Sequence, residues 1–275
     1  MQQLTLPFSS TSSIPISDKL GNLRCQLEAT LAKSSKKRIR YAAVSVSEVL
    51  ERVTPSGSST GRYDNWKFIN GIDARVSVVR LRAFARNLKC VCCGRVGNVF
   101  LLERHINEMP GQYVNLYSLN HGALTLMTVD HILPDSIGGK YTPDNFQTMC
   151  HPCNEAKKNH MPVKDIEKVL ADMDRYAKCW VNRDLLSALL RAQRLHLTYH
   201  SAHGPVQAQF WTLYVKYSSS IRSGDNPIRS AQAARTLNHD LAVWTHIANN
   251  RHWIVVAYAK LQRWVASLFP LSAVA

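Results

Sequence analysis

The chain has 275 residues, 45% of them hydrophobic, enough apolar content to bury a core and to exclude global disorder. Lys and Arg total 34 against 19 Asp and Glu, a formal charge of +15. Such an excess attracts polyanions, chiefly nucleic acid, because neutralised phosphates release counterions; bare solubility is the other reading of the charge. No apolar run reaches the roughly 18 residues of a membrane span, so no membrane partner is expected.

In chain order, residues 1–20 read as a polar, serine-rich tail with two prolines. Without a positive n-region this start does not read as a signal peptide, and the expected compartment is the cytosol. Residues 21–53 carry a helix and a basic cluster of Lys33, Lys36, Lys37, Arg38 and Arg40, and residues 54–62 form a linker-like break. Trp66 to Arg75 reads as a hairpin, with Asn70-Gly71 supplying the positive φ angles of a type I′ turn. Residues 77–89 predict a helix whose apolar stripe is Leu81, Phe84, Ala85 and Leu88. Arg82, Arg86 and Lys89 fall on another face, either a solvated surface or one that tracks phosphates. Strand-like runs cover 98–104 and 112–132, with His121 at a turn. A Gly/Pro-rich loop covers 133–143, Phe146 to Met149 makes a short strand, and a helix begins near Pro152. From about Lys164 the chain is mostly helical. Ser230 to Ile247 reads as two helices broken at Asn238-His239, an ordinary helical hairpin with a looser likeness to helix-turn-helix modules. His252 to Leu268 reads as an amphipathic core helix.

Two Cys-x-x-Cys pairs, Cys90 with Cys93 and Cys150 with Cys153, carry the first chemical signal. Thiols stay reduced in the cytosol, so matched pairs point to metal rather than disulfide. Two intervening residues let a tight turn aim both sulfurs at one ion, and four thiolates suit tetrahedral Zn²⁺. Such a filled shell leaves no open position for water, so the zinc is structural. A hydrolytic metal must then be a second ion.

The second signal lies between and beyond those pairs. Asp130 and His131 are adjacent at the end of a strand, and Asn154 opens the helix after the second pair. Neighbouring side chains on a strand point to opposite faces, so a bend or bulge is needed for both to serve one site. Phosphodiester hydrolysis needs a base to activate water, a cation to neutralise charge, and parts held in line. A neutral imidazole suits the first task at neutral pH. Asp130 and Asn154 offer hard oxygens of the kind Mg²⁺ prefers. Lys157 and Lys158 add positive charge, and the amide of Asn145 can pin the loop backbone. His151 and His160 lie nearby in sequence as weaker candidates.

Asp-His-Ile-x-Pro-x-Ser-x-Gly-Gly at 130–139, followed by Asn-Phe-Gln-x-Met-Cys-x-x-Cys-Asn-x-x-Lys at 145–157, resembles the HNH endonucleases of the ββα-metal (His-Me finger) group. The likeness is greatest to the four-cysteine zinc branch common in phages and mobile elements, and a phage-encoded chain would act in the bacterial host cytoplasm. The resemblance implies His131 as general base, Asp130 and Asn154 as ligands of one Mg²⁺ or Mn²⁺, and Asn145 as the positioning asparagine. The family often ends its motif on His where this chain has Asn154. Asn occurs there in active members, including the HNH domains of CRISPR effector nucleases.

Together these readings predict an α+β protein with a zinc-stapled ββα-metal nuclease core. The expected divisions are a tail at 1–20, a basic N-terminal region at 21–84, the nuclease domain at 85–162, and a helical domain at 163–275. The expected activity is metal-dependent hydrolysis of DNA, with structural zinc, catalytic Mg²⁺ or Mn²⁺, and no small-molecule cofactor. Lys157, Lys158, Arg82, Arg86 and Lys89 are the candidate DNA contacts. The alternatives are a zinc-containing DNA-binding protein with a vestigial nuclease site, and RNA as the substrate.

Overall fold

The computed structural model describes residues 15–31, 38–53, 63–68, 71–105, 112–199, 204–222 and 227–249. Most of the tail, Lys33, Lys36, Lys37, the 54–62 break, Asn70 and the 252–268 segment lie outside those residues. The structure is α+β. By internal contacts the chain divides into two compact units, one of residues 1–131 and 141–158, the other of 132–140 and 159–275.

The first unit is built on a sheet. Among the described residues its strands are β1 (Arg38–Ser45), β2 (Asp64–Lys67), β3 (Asp73–Val76), β4 (Val99–His105), β5 (Tyr113–Asn120), β6 (Ala123–His131) and β7 (Phe146–Cys150). The order β1-β4-β5-β3-β2 is continued by β6 against β5 and β7 against β6. Sequence reading placed residues before 85 in a separate region. The pairing of β1 with β4 and of β3 with β5 puts them in the same sheet as the later strands.

Strand β4 shows why the sheet is buried on both sides. Alternation sends Phe100 and Leu102 into one core with Leu81, Phe84, Met127 and Met149. Val99 and Leu101 go into another, with Leu27 and Leu31 of helix α1 (Leu23–Leu31). Strand β1 occupies the basic stretch that sequence reading left without a strand. Its C-terminal half, Ala42 to Ser45, is buried, and Ser45 then starts helix α2 (Val46–Leu50) with a capping box to Glu48. The arginines of β1 have a specific partner. Glu103 is buried and takes Arg38 at 2.8 Å, Asn115 at 3.0 Å and the Tyr117 hydroxyl at 2.6 Å. Burial, and then the Glu103 charge, push the Tyr117 hydroxyl well above its ordinary range.

Helix α3 (Val78–Arg86) delivers the chain to the first cysteine pair. Its buried residues are Val78, Leu81, Ala83 and Phe84, so Ala83 takes the inward place that the apolar stripe assigned to Ala85, which is exposed. Strands β5 and β6 turn at His121-Gly122, both with positive φ, as a two-residue hairpin requires.

The second unit is helical: α5 (Val163–Ala171), α6 (Met173–Tyr176), α7 (Arg183–Thr198), α8 (Gly204–Arg222) and α9 (Pro227–Asn249). Helix α9 runs unbroken through Asn238-His239, contrary to the two-helix reading of that stretch. Ala234, Leu237, Leu241 and Ala248 keep one inward stripe across the supposed break, and Arg191 of α7 donates to the Asn238 amide oxygen at 2.6 Å. The unit also holds the loop 132–140. Ile132, Leu133 and Ile137 enter its core, and Lys178 donates its backbone N–H to Gly138 O at 2.9 Å. Among the described residues no helix is long and apolar enough to cross a membrane.

Candidate active site and zinc centre

The candidate site grows from three consecutive pieces: β6, β7 and helix α4 (His151–Lys157). Antiparallel pairing sets Thr128 opposite Met149, Asp130 opposite Gln147 and His131 opposite Phe146. Thr128 and Asp130 are two apart on a strand and share a face. Asn154 and Lys157 are three apart on a helix and share a face too. Two bonds join those faces. Asn154 Nδ2 donates to Thr128 Oγ1 at 3.0 Å, and Lys157 Nζ meets Asp130 Oδ2 at 2.8 Å. The amide of Asn154 is thereby set against Thr128, and the carboxylate of Asp130 against Lys157.

Asp130 is held firmly. Its Oδ2 also accepts from Gln147 Nε2 at 2.9 Å. Lys157 further donates to the backbone oxygen of His131 at 3.0 Å. The side chains of Lys157 and Asp130 are only 7% and 9% exposed, so this ion pair is nearly buried, and Lys157 is a structural partner of the carboxylate rather than a surface charge. Both of these contacts to Asp130 fall on Oδ2.

His131 leaves the strand on the other face, and the β6–β7 register runs unbroken from Met127 to His131, so the strand itself shows no bulge between Asp130 and His131. Its ring meets Phe146 edge-on at 4.7 Å between centroids, and Tyr141 lies 6.1 Å away. Tyr141 packs edge-on against Phe146 at 4.9 Å, giving the imidazole an aromatic wall. Asn145 is fully buried in the 3₁₀ turn Pro143–Asn145, immediately before Phe146. That turn is tied to α3 by Arg86, which donates to Pro143 O at 2.7 Å and pairs with Asp144 at 2.9 Å.

The other basic candidates have individual settings. Lys158 is exposed and ends α4 with a positive φ of 50°. Arg82 is half-buried. Lys89 is exposed, and its stem lies across the first cysteine turn near Gly94. His151 pairs with Glu155 at 3.3 Å, and His160 stacks on Trp211 at 4.4 Å within the second unit. Thr128, Gln147, Tyr141 and Arg80 were passed over in the sequence. The strand period would have found Thr128 beside Asp130, and the hairpin register would have found Gln147. Burial holds the Arg80 guanidinium below its ordinary range, while Tyr141 and Tyr63 act in the opposite direction.

The sulfurs of Cys90, Cys93, Cys150 and Cys153 all lie within 4.8 Å of one another. A tetrahedral zinc with ~2.3 Å bonds to sulfur needs sulfurs about 3.8 Å apart, and Cys93 and Cys150 stand at 3.6 Å, so the four fit a zinc ion. Gly94, at φ 78°, turns the chain out of the first pair and donates its N–H to Cys90 O at 3.0 Å. Val91 N–H donates to Thr148 O at 3.0 Å and ties this turn to β7. Cys150 is the last residue of β7 and the N-cap of α4. Burial pushes the Cys90 thiol up, but backbone N–H groups of Cys93, Cys150 and Cys92 outweigh it and bring it down to about 6. Hydrogen bonding to Cys150, and then burial, push Cys153 upward. Four thiols this crowded would repel one another as thiolates, and a bound cation would ionise them together.

Comparison with known proteins places this geometry. No curated protein and no solved structure matches the chain. Residues 123–169 match the family model described as HNH endonuclease. The matched stretch contains β6, β7, α4 and the second cysteine pair, while Cys90 and Cys93 lie upstream of it. Residues 123–169 are thus similar to the HNH endonuclease family, a likeness that suggests nuclease activity, and two of the four clustered cysteines that fit zinc, Cys150 and Cys153, lie within them.

Proposed function

We propose that the protein is a metal-dependent endodeoxyribonuclease with its active site at the end of β6 and the start of α4. The observation that carries this reading is the pair of cross-links, Thr128 to Asn154 and Asp130 to Lys157, which hold a carboxylate of β6 and an amide of α4 on the two faces that meet there. Asp130 Oδ1 and the carbonyl oxygen of Asn154 are hard donors suited to Mg²⁺ or Mn²⁺. When bound there, a divalent cation supplies neutralisation of charge on the phosphate and the leaving oxygen.

The chain's own residues do the rest. His131, at the strand end, takes a proton from the water that attacks phosphorus. Phe146 and Tyr141 fix its ring orientation, and buried Asn145 anchors the turn that carries them. Lys157 and Gln147 keep Asp130 in one orientation. Lys158, exposed at the end of α4, supplies positive charge toward the backbone of the nucleic acid, and the overall +15 draws the polyanion in. The resemblance to HNH endonucleases implies a 5′-phosphate and a 3′-hydroxyl as the products.

One observation favours a second reading. The Lys157 ammonium already compensates Asp130, and a protein in which that pair excluded a cation would bind DNA without cutting it. Digestion of plasmid DNA and of single-stranded RNA in Mg²⁺, Mn²⁺ and EDTA separates the readings. The proposal expects DNA cleavage in either cation and none in EDTA. Binding without cleavage in every cation supports the vestigial site, and digestion of RNA alone changes the substrate.

A further inference from the structure

We infer that Thr128 is a positioning residue: its hydroxyl dictates that Asn154 turns its oxygen, and not its NH₂ group, toward the catalytic cation. This rests on the cation site proposed above and assigns a role to a residue outside the Asp130, His131, Asn145 and Asn154 set.

The argument is one of proton counting. A threonine hydroxyl has a single proton to donate and lone pairs to accept with. Thr128 Oγ1 donates to Met149 O, the backbone oxygen of its cross-strand partner, at 3.0 Å. That oxygen belongs to the β6–β7 hairpin and accepts only. With its proton committed, the hydroxyl can offer Asn154 nothing but a lone pair. Asn154 must therefore present its donor, and its Nδ2 stands 3.0 Å away. The carbonyl oxygen of the amide is then directed away from Thr128. Among the described residues, Asn154 Oδ1 takes no hydrogen bond.

The consequence is specific to an asparagine. Its amide is nearly symmetric in shape, and a half-turn about its last torsion replaces an acceptor with two donors. An amide that can turn both ways offers a cation the wrong face for part of the time. A fixed acceptor behind the NH₂ group removes that freedom, as outer partners do for the ligands of many metal sites. Asp130 is fixed in a parallel way, with Gln147 and Lys157 both bound to Oδ2. The two ligands thus each present one chosen oxygen. Strand spacing explains why Thr128 serves: it lies two residues before Asp130, on the same face.

The test uses the full-length, zinc-loaded protein and Mn²⁺ binding read by electron paramagnetic resonance, with zinc content and thermal melting as checks on the fold. Thr128→Val keeps the shape and removes the acceptor, and Thr128→Ala serves as a second variant should valine perturb packing. Both should weaken Mn²⁺ binding about tenfold or more while retaining zinc. Thr128→Ser should restore wild-type binding. Placed on Asn154→Ala, Thr128→Val should cause no further loss, because its effect passes through that amide. Cleavage by Thr128→Val should require more Mg²⁺ and approach the wild-type rate at saturation. Unchanged Mn²⁺ affinity in both Thr128→Val and Thr128→Ala overturns the inference. So does an equal additional loss on the Asn154→Ala background. If wild-type protein and Asn154→Ala bind Mn²⁺ alike, the cation reading itself falls and the role of Thr128 with it. A defect confined to Thr128 variants would refute only the route through Asn154.

Discussion

The Asp130–Lys157 pair shows how a single buried contact serves folding and chemistry at once. Two charges this far from water are stable only while they compensate each other, and removing one partner of such a pair typically costs about 3–5 kcal/mol. Lys157→Met should therefore lower stability by about that much in cation-free buffer, measured by denaturant unfolding. Mg²⁺ should recover a larger part of the loss in this variant than it adds to the wild type, because a cation at Asp130 replaces the missing charge. An equal Mg²⁺ effect on both proteins would place the ion elsewhere. The residues with chemistry in their side chains, Asp130, His131, Asn154 and the four cysteines, could be read from the sequence, since the residue type itself carries the signal. The partners that hold them could not. Lys157 reads as a phosphate contact until α4 is laid against β6, and Gln147 has no role until the hairpin register puts it opposite Asp130.

At the scale of elements, helix α4 is the weak member and the zinc centre its support. Seven residues are too few to hold a helix in water on their own. Its start is fixed by Cys150 and Cys153, so an ion on the four sulfurs sets the direction in which Asn154 and Lys157 leave the strand. Cys150→Ser should lose the zinc measured by atomic emission, lower the melting temperature and abolish cleavage together. Retained cleavage without zinc would show that the helix stands without its clamp. The loop 132–140 is held within the helical unit. Gly138 sits at φ 91°, and a β-carbon there would meet Val181 Cγ2 at 2.2 Å. Gly138→Ala should cost about 2 kcal/mol or more on denaturant unfolding, with zinc content unchanged. The Gly-Gly pair was legible as a turn, but the valine that forbids a side chain lies 43 residues later in the chain. Strand β1 was missed for a related reason. A basic run reads as a solvated surface, but the buried carboxylate of Glu103, supplied by a distant strand, takes its arginine, and the apolar residues that follow enter the core. The apparent break in α9 failed for the opposite reason: Asn238 is a weak helix former by local propensity, and contact with Arg191 and a continuous apolar stripe override it.

For the whole molecule, the polypeptide passes from the sheet-based unit into the helical one directly after His131 and returns directly before Tyr141. The proposed base is thus the last residue of its strand and of its unit, and its ring is fixed by Phe146 and Tyr141 on the returning chain. Asp130 has a structural second role in an ion pair, Asn154 in a strand-to-helix bond and the cysteines in a clamp, so substitution at any of them tests the fold along with the chemistry. Substitution of His131 addresses the proposed base directly. The decisive measurement is cleavage of supercoiled plasmid in Mg²⁺ by wild-type protein and by His131→Ala, each shown to carry one zinc and to melt at a similar temperature. The account predicts cutting by the wild type and a loss of at least about a hundredfold in the variant, the scale of a general base. Undiminished cutting by His131→Ala would contradict it.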